Sequence, residues 1–154
     1  MNTYTELEIL KIAISIEEEG EYFSNSMIDK ANTAQQEEIF LALACDEKSH
    51  AATFKEMYDY AKNMQEGYRK QGLFSQLMSE QIDVVIQPLI QPKDNNLSQE
   101  LGFKELVNDA LQREYRSIRF YQKLRTECKD KKAEQLIDAI IKEEEQHVIK
   151  LKEM

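Results

Sequence analysis

A chain of 154 residues and 18.1 kDa is about one domain's worth, and about 68–70% of the unfolded surface can be buried at this length without disulfide support. With 42% hydrophobic and 32% charged residues it is expected to fold, and its longest apolar runs, such as Val84-Val85-Ile86, are far too short to cross a bilayer. The net charge of −9 repels phosphate backbones and anionic lipid, so neither nucleic acid nor a membrane is an expected partner. The start, Met1-Asn2-Thr3-Tyr4-Thr5-Glu6, lacks the basic stretch and apolar block of a signal peptide, and a cytoplasmic location is expected. The two cysteines, Cys45 and Cys128, form no Cys-x-x-Cys pair and no redox or zinc motif.

In chain order, the apolar periodicity predicts a first helix over about 4–30 and a polar turn at Asp29-Lys30-Ala31-Asn32-Thr33. A second helix follows over about 34–65. Gly67, Gly72, Gly102, Pro88 and Pro92 then cluster in the middle, where Phe74, Leu77, Met78, Ile82, Val85 and Ile86 keep 3/4 spacing and predict a short helix. A third helix is expected over about 103–127, a turn at Glu127-Cys128-Lys129-Asp130-Lys131, and a fourth helix over about 130–152. The middle segment is too long for a tight turn and can travel back along a bundle, making the second and third helices parallel. The expected fold is all-α, a ferritin-like four-helix bundle with one long crossover. It is a single domain over 1–154, with helix hairpins at about 4–65 and 103–152 and the crossover at about 66–102.

The sharpest feature is an internal repeat. Glu17, Glu47 and His50 recur as Glu114, Glu144 and His147, each 97 positions further on. The chain has 2 histidines; both close a Glu-x-x-His, and both have a Glu 33 positions upstream. Glu17 and Glu47 lie 15 residues either side of Asn32, so in an antiparallel hairpin both sit at one height, roughly 22 Å from the turn. His50 is one turn beyond Glu47 on the same face. The second hairpin repeats the pattern with Glu114, Glu144 and His147.

Their helical neighbours point them inward. Glu17 has Leu10, Ala13, Ile14, Gly20 and Ser24 on its face, and Glu47 has Phe40, Leu43, Ala44, Ala51 and Phe54. Glu114 sits among Val107, Ala110, Leu111, Ser117, Ile118 and Tyr121; Glu144 sits among Ile137, Ile140, Ile141, Val148 and Leu151. Four buried, unpaired carboxylates must be protonated or neutralised. Two divalent cations would cancel four negative charges and take the histidines as neutral ligands. Mixed Glu/His ligation suits iron or manganese, with zinc a further fit. Glu18, Glu19, Glu143 and Glu145 are assigned to solvated faces. Tyr22, Phe23, Phe40, Phe54 and Phe120 are assigned to core packing, and Cys45 and Cys128 are read as small helix residues.

The frame Glu17-x-x-Gly20-x-x-Phe23, Asp46-Glu47-x-x-His50, Glu114-x-x-Ser117-x-x-Phe120-Tyr121 and Glu144-x-x-His147 resembles the rubrerythrin group of ferritin-like diiron-carboxylate proteins over essentially the whole chain. The resemblance implies a non-haem site of two Fe ions, with Glu17, Glu47, Glu114 and Glu144 as carboxylate ligands and His50 and His147 as nitrogen ligands. It also implies reduction of hydrogen peroxide, or reaction with dioxygen, at the reduced centre, in a homodimer. The cysteine-rich electron-feeding domain of full-length relatives has no counterpart among the cysteines here, which implies an external electron-donor protein. Ser117 stands where many relatives carry an extra Glu. Tyr121 matches a tyrosine that hydrogen-bonds a ligand carboxylate and is the one candidate catalytic residue, whereas the equivalent place on the first helix is Ser24. The expectation is therefore a rubrerythrin-like diiron peroxidase. Alternatives are a ferroxidase or iron-handling protein, and a metal-stabilised bundle without catalysis.

Overall fold

A computed structural model of the chain describes residues 3–66, 77–78 and 102–154. Its four long helices are α1 (Glu6–Ile28), α2 (Ala34–Glu66), α3 (Phe103–Glu127) and α4 (Lys131–Lys152). The bounds follow from local chemistry. Thr5 caps α1 reciprocally: its hydroxyl accepts from the Glu8 amide at 3.2 Å, and its own amide donates to the Glu8 carboxylate at 2.8 Å, satisfying two amides that a helix start leaves without partners. Asp130 caps α4 by accepting from the Ala133 amide at 2.9 Å, and Thr33 serves α2 through the Gln36 amide at 3.2 Å.

Burial explains the topology. One apolar cluster joins Ile9, Leu10, Ala13 and Ile16 of α1 to Phe54 and Met57 of α2, Phe120, Tyr121 and Leu124 of α3, and Ile137, Ile140 and Ile141 of α4. A second joins Met27, Phe40, Leu43, Leu106, Val107, Ala110 and Leu151. Helices α1 and α4 thus run from the first cluster to the second, and α2 and α3 run the other way. The α1–α2 and α3–α4 pairs are antiparallel hairpins and α2 lies parallel to α3, as the long crossover requires. The fold is an all-α, ferritin-like four-helix bundle.

Three expectations of the fold change. Leu77–Met78 is not helical but a two-residue strand, antiparallel to Thr3–Tyr4 with Thr3 opposite Met78; its partner lies some 75 residues upstream, beyond the reach of local periodicity. The rest of the expected middle helix lies outside the described residues. Tyr22, assigned to the core, is 79% exposed: it stands two residues from buried Ser24, which on a helix is nearly the opposite face. Cys128 lies just past the end of α3 as its C-cap, with its thiol donating to the Asp130 carbonyl at 3.2 Å. Among the described residues no helix is long and apolar enough to cross a membrane.

Candidate metal centre

Between the two apolar clusters lies a polar layer. Glu17 of α1, Glu47 and His50 of α2, Glu114 of α3, and Glu144 and His147 of α4 are all at least 93% buried, with Glu17 and Glu144 at 1% exposure and His147 at none. Each is one turn from apolar core residues, so hydrophobic burial of the stripe carries it inside. Gly20 makes the close approach of α1 possible: a Cβ there would lie 3.2 Å from Cδ of Glu47.

The six side chains form two groups, Glu17–Glu47–His50–Glu144 and Glu47–Glu114–Glu144–His147, each with one ligand atom per residue within 4.8 Å of the others. Glu47 and Glu144 belong to both, and they divide their oxygens. Oε1 of Glu144 lies 2.8 Å from His50 Nδ1 and Oε2 lies 3.7 Å from His147 Nδ1. Oε2 of Glu47 lies 3.8 Å from His50 Nδ1 and Oε1 lies 3.5 Å from His147 Nδ1. Glu17 approaches His50 at 3.4 Å and Glu114 approaches His147 at 3.5 Å. The imidazoles face each other 6.1 Å apart with ring planes 26° from parallel.

Both rings are turned by an outer carboxylate. His50 Nε2 donates to Glu143 at 2.5 Å, and His147 Nε2 donates to Asp46 at 3.0 Å. Carboxylates only accept, so the proton sits on Nε2 and Nδ1 is left facing the centre. The pairing is crossed, since α2 orients the histidine of α4 and α4 orients that of α2. Glu143, assigned above to solvent, is half-exposed yet has this structural role, and Asp46 had been given none. The signal was present, because Asp46 and Glu143 are also 97 positions apart. Glu18 does stand on the outer face, 2.8 Å from Lys55. The Tyr121 hydroxyl donates to Oε1 of Glu17.

The electrostatics describe a crowded site. Burial, then the charges of Glu47 and Glu144, hold the Glu17 carboxyl well above its usual pKa, and burial with the Glu144 charge does the same to Glu114. Glu47 and Glu144 move down: burial opposes their ionisation, but the neighbouring carboxyls and imidazoles outweigh it. Both histidines are raised. Burial disfavours their charge, but Glu144, Glu17 and Glu47 around His50, and Glu114, Glu144 and Glu47 around His147, overcome it. Burial raises the Tyr121 phenol, with the Glu17 charge next.

The donor set fits a pair of divalent cations. Glu17 Oε2, His50 Nδ1, Glu114 Oε2, Glu144 Oε1 and His147 Nδ1 are buried without any hydrogen-bond partner among the described residues, although His50 Nδ1 and Glu144 Oε1 are close. Buried polar atoms are ordinarily satisfied, and these five converge on the space between the helices.

Comparison with known proteins agrees. The crystal structure of a Thermotoga maritima protein, described as a candidate ferritin-like diiron-carboxylate protein, superposes with a TM-score of 0.74 at 26% identity, covering 100% of this chain and 96% of that one. Among curated proteins no sequence matches. The sequence profile of rubrerythrin matches residues 8–154, a span that includes every residue of the polar layer, and the chain belongs to the rubrerythrin family.

Proposed function

We propose that the protein is a non-haem diiron oxidoreductase that reduces hydrogen peroxide to water, with electrons from a separate donor protein. The observation that carries this reading is the sharing of Glu47 and Glu144 between two four-residue groups, which would let these two carboxylates serve both ions. Glu17 and His50 would complete one ion's ligand set, and Glu114 and His147 the other's; iron best suits this donor mixture and the family, with manganese or zinc as competitors. The bound pair would supply two electrons, which with two protons convert one peroxide to two waters.

The protein's own contribution is positional. Asp46 and Glu143 fix the imidazoles so that Nδ1 faces the centre. Tyr121 keeps its proton and holds one oxygen of Glu17. Cytoplasmic residence and a homodimer complete the reading.

The test is an anaerobic Fe(II) titration of metal-free protein, followed by separate challenges with peroxide and air. Saturation at two irons per chain, with peroxide giving the faster rise in near-ultraviolet absorption, is the expected result. A clear preference for dioxygen would instead favour ferroxidase chemistry. Absence of stoichiometric binding would overturn the diiron reading.

A further inference from the structure

The 97-residue displacement gives the two halves of the centre mirrored surroundings, which differ at several pairs of positions, among them Gly20 and Ser117, Ile16 and Arg113, and Ser24 and Tyr121. Beside Glu17 the space is filled by Tyr121, fully buried, its ring 5.2 Å from Phe54 and 5.7 Å from Phe120. The place 97 residues earlier is Ser24, whose side chain ends at a hydroxyl. Beside Glu114 there is accordingly a cavity of about 30 Å³, bordered by Gly20, Phe23, Ser24, Arg113, Glu114 and Ser117. That volume holds a water-sized molecule or two.

The cavity leads somewhere. The buried carboxylates Glu47 and Glu114 form its inner wall. Its outer part includes Arg113, whose side chain is 19% exposed. The Arg113 guanidinium carbon lies 4.9 Å from the centre of the Phe23 ring, and Nε lies 3.9 Å from Asp109. A cation stacked on an aromatic face is held in place, so the long side chain is fixed at the border of the cavity.

We propose that this one-sided cavity is the passage by which an oxidant of two heavy atoms, hydrogen peroxide or dioxygen, reaches the Glu47–Glu114 half of the centre, and that Arg113 laid over Phe23 sets its width. The proposal rests on the oxidoreductase reading above. With peroxide, a ferrous pair held by the six residues would supply two electrons, which with two protons from solvent convert it to two waters. Bulkier hydroperoxides, which differ only in the group carried on oxygen, are kept out by size.

The test uses iron-loaded full-length protein, with helicity and metal content verified for each variant. Stopped-flow oxidation is followed with hydrogen peroxide and with tert-butyl hydroperoxide. Wild type should prefer the smaller oxidant by about 100-fold or more, a ratio that pocket size can supply. Arg113→Ala should shrink that ratio about tenfold, and Arg113→Met, of similar bulk without charge, should keep it. Ser24→Tyr should slow both oxidants about tenfold or more; Ser24→Val is the milder filling variant should the first not fold. Crystals under xenon pressure provide a readout independent of turnover, with xenon expected beside Ser24 in wild type and absent from the filled variant.

Oxidation of a loaded, filled variant at the wild-type rate, or xenon lodging only beside Tyr121, would overturn the passage while leaving the oxidoreductase reading intact. A change of ratio in Arg113→Met as large as in Arg113→Ala would overturn the steric role of Arg113. Failure of every oxidant to act on loaded wild type would overturn both readings.

Discussion

Loading the centre with divalent cations should release protons at neutral pH, at most about four. Burial and the neighbouring carboxylates favour the protonated forms of Glu17 and Glu114 in the metal-free protein. The carboxylates around His50 and His147 favour their charged forms more than burial opposes them. Glu47 and Glu144 move the other way. As ligands, the carboxyls must be ionised and each imidazole must offer a bare Nδ1, so metal charge replaces proton charge. Calorimetric titration with redox-inert Zn(II) or Mn(II), in two buffers of different ionisation enthalpy at pH 7, measures the release directly. Release of no proton would refute this account of the charge balance.

The same balance makes the two forms respond oppositely to pH. Above pH 4.5 the unfolded chain loses protons that folded Glu17 and Glu114 keep, and above 6.5 it loses those that folded His50 and His147 keep. The metal-free protein should therefore lose stability as pH rises through neutrality. Glu47 and Glu144, being lowered, add stability above 4.5 that is lost as pH falls below it. Loaded protein should gain stability over the neutral range, because binding expels those protons. Melting followed by circular dichroism at several pH values compares the two directly.

Further predictions concern single contacts. Verified metal removal should lower Tm, since ions at 100 times their Kd contribute about 2.7 kcal/mol; an unchanged Tm would contradict a buried, charge-neutralising site. Asp46→Asn and Glu143→Gln should each weaken metal binding about 10–100-fold and by similar factors, read by competition with a chelating dye. Equal affinity to wild type would show that packing alone orients the rings. Tyr121→Phe should cost the metal-free protein about 1–3 kcal/mol in urea unfolding, because the buried Glu17 carboxyl loses its donor. Gly20→Ala should separate stability from binding: helix propensity favours Ala by about 1 kcal/mol, but the new Cβ, 3.2 Å from Glu47 Cδ, should displace that carboxylate and lower metal affinity. Unaltered affinity would show that Glu47 relaxes freely.

Much of the architecture was legible because its determinants are local. The polar turns at 29–33 and 127–131 mark helix ends in the sequence, and the observed bounds fall within two residues of those expected. The six residues of the polar layer stood out because spacing and symmetry reinforce each other. What escaped depends on partners distant in sequence. Glu143 is in a run of three glutamates that reads as a solvated face, and only the crossing of α2 and α4 brings it to His50. Leu77–Met78 becomes a strand because Thr3–Tyr4 lies alongside. Tyr22 was misplaced by treating an aromatic beside Phe23 as core when the helical turn carries it outward.

The placement of the polar layer between two apolar clusters bears on how the molecule unfolds. Each cluster is continuous across several helices, but a stratum of carboxyls and imidazoles crosses α1, α2, α3 and α4 at mid-height. With protons alone holding that stratum, the two ends of the bundle are joined by hydrogen bonds and ion pairs that open more readily than packed hydrocarbon. Ions ligated from all four helices would tie the ends into one cooperative unit. Amides beside Glu47 and Glu144 should therefore exchange by a local opening in the metal-free chain, and only through global unfolding once metal is bound.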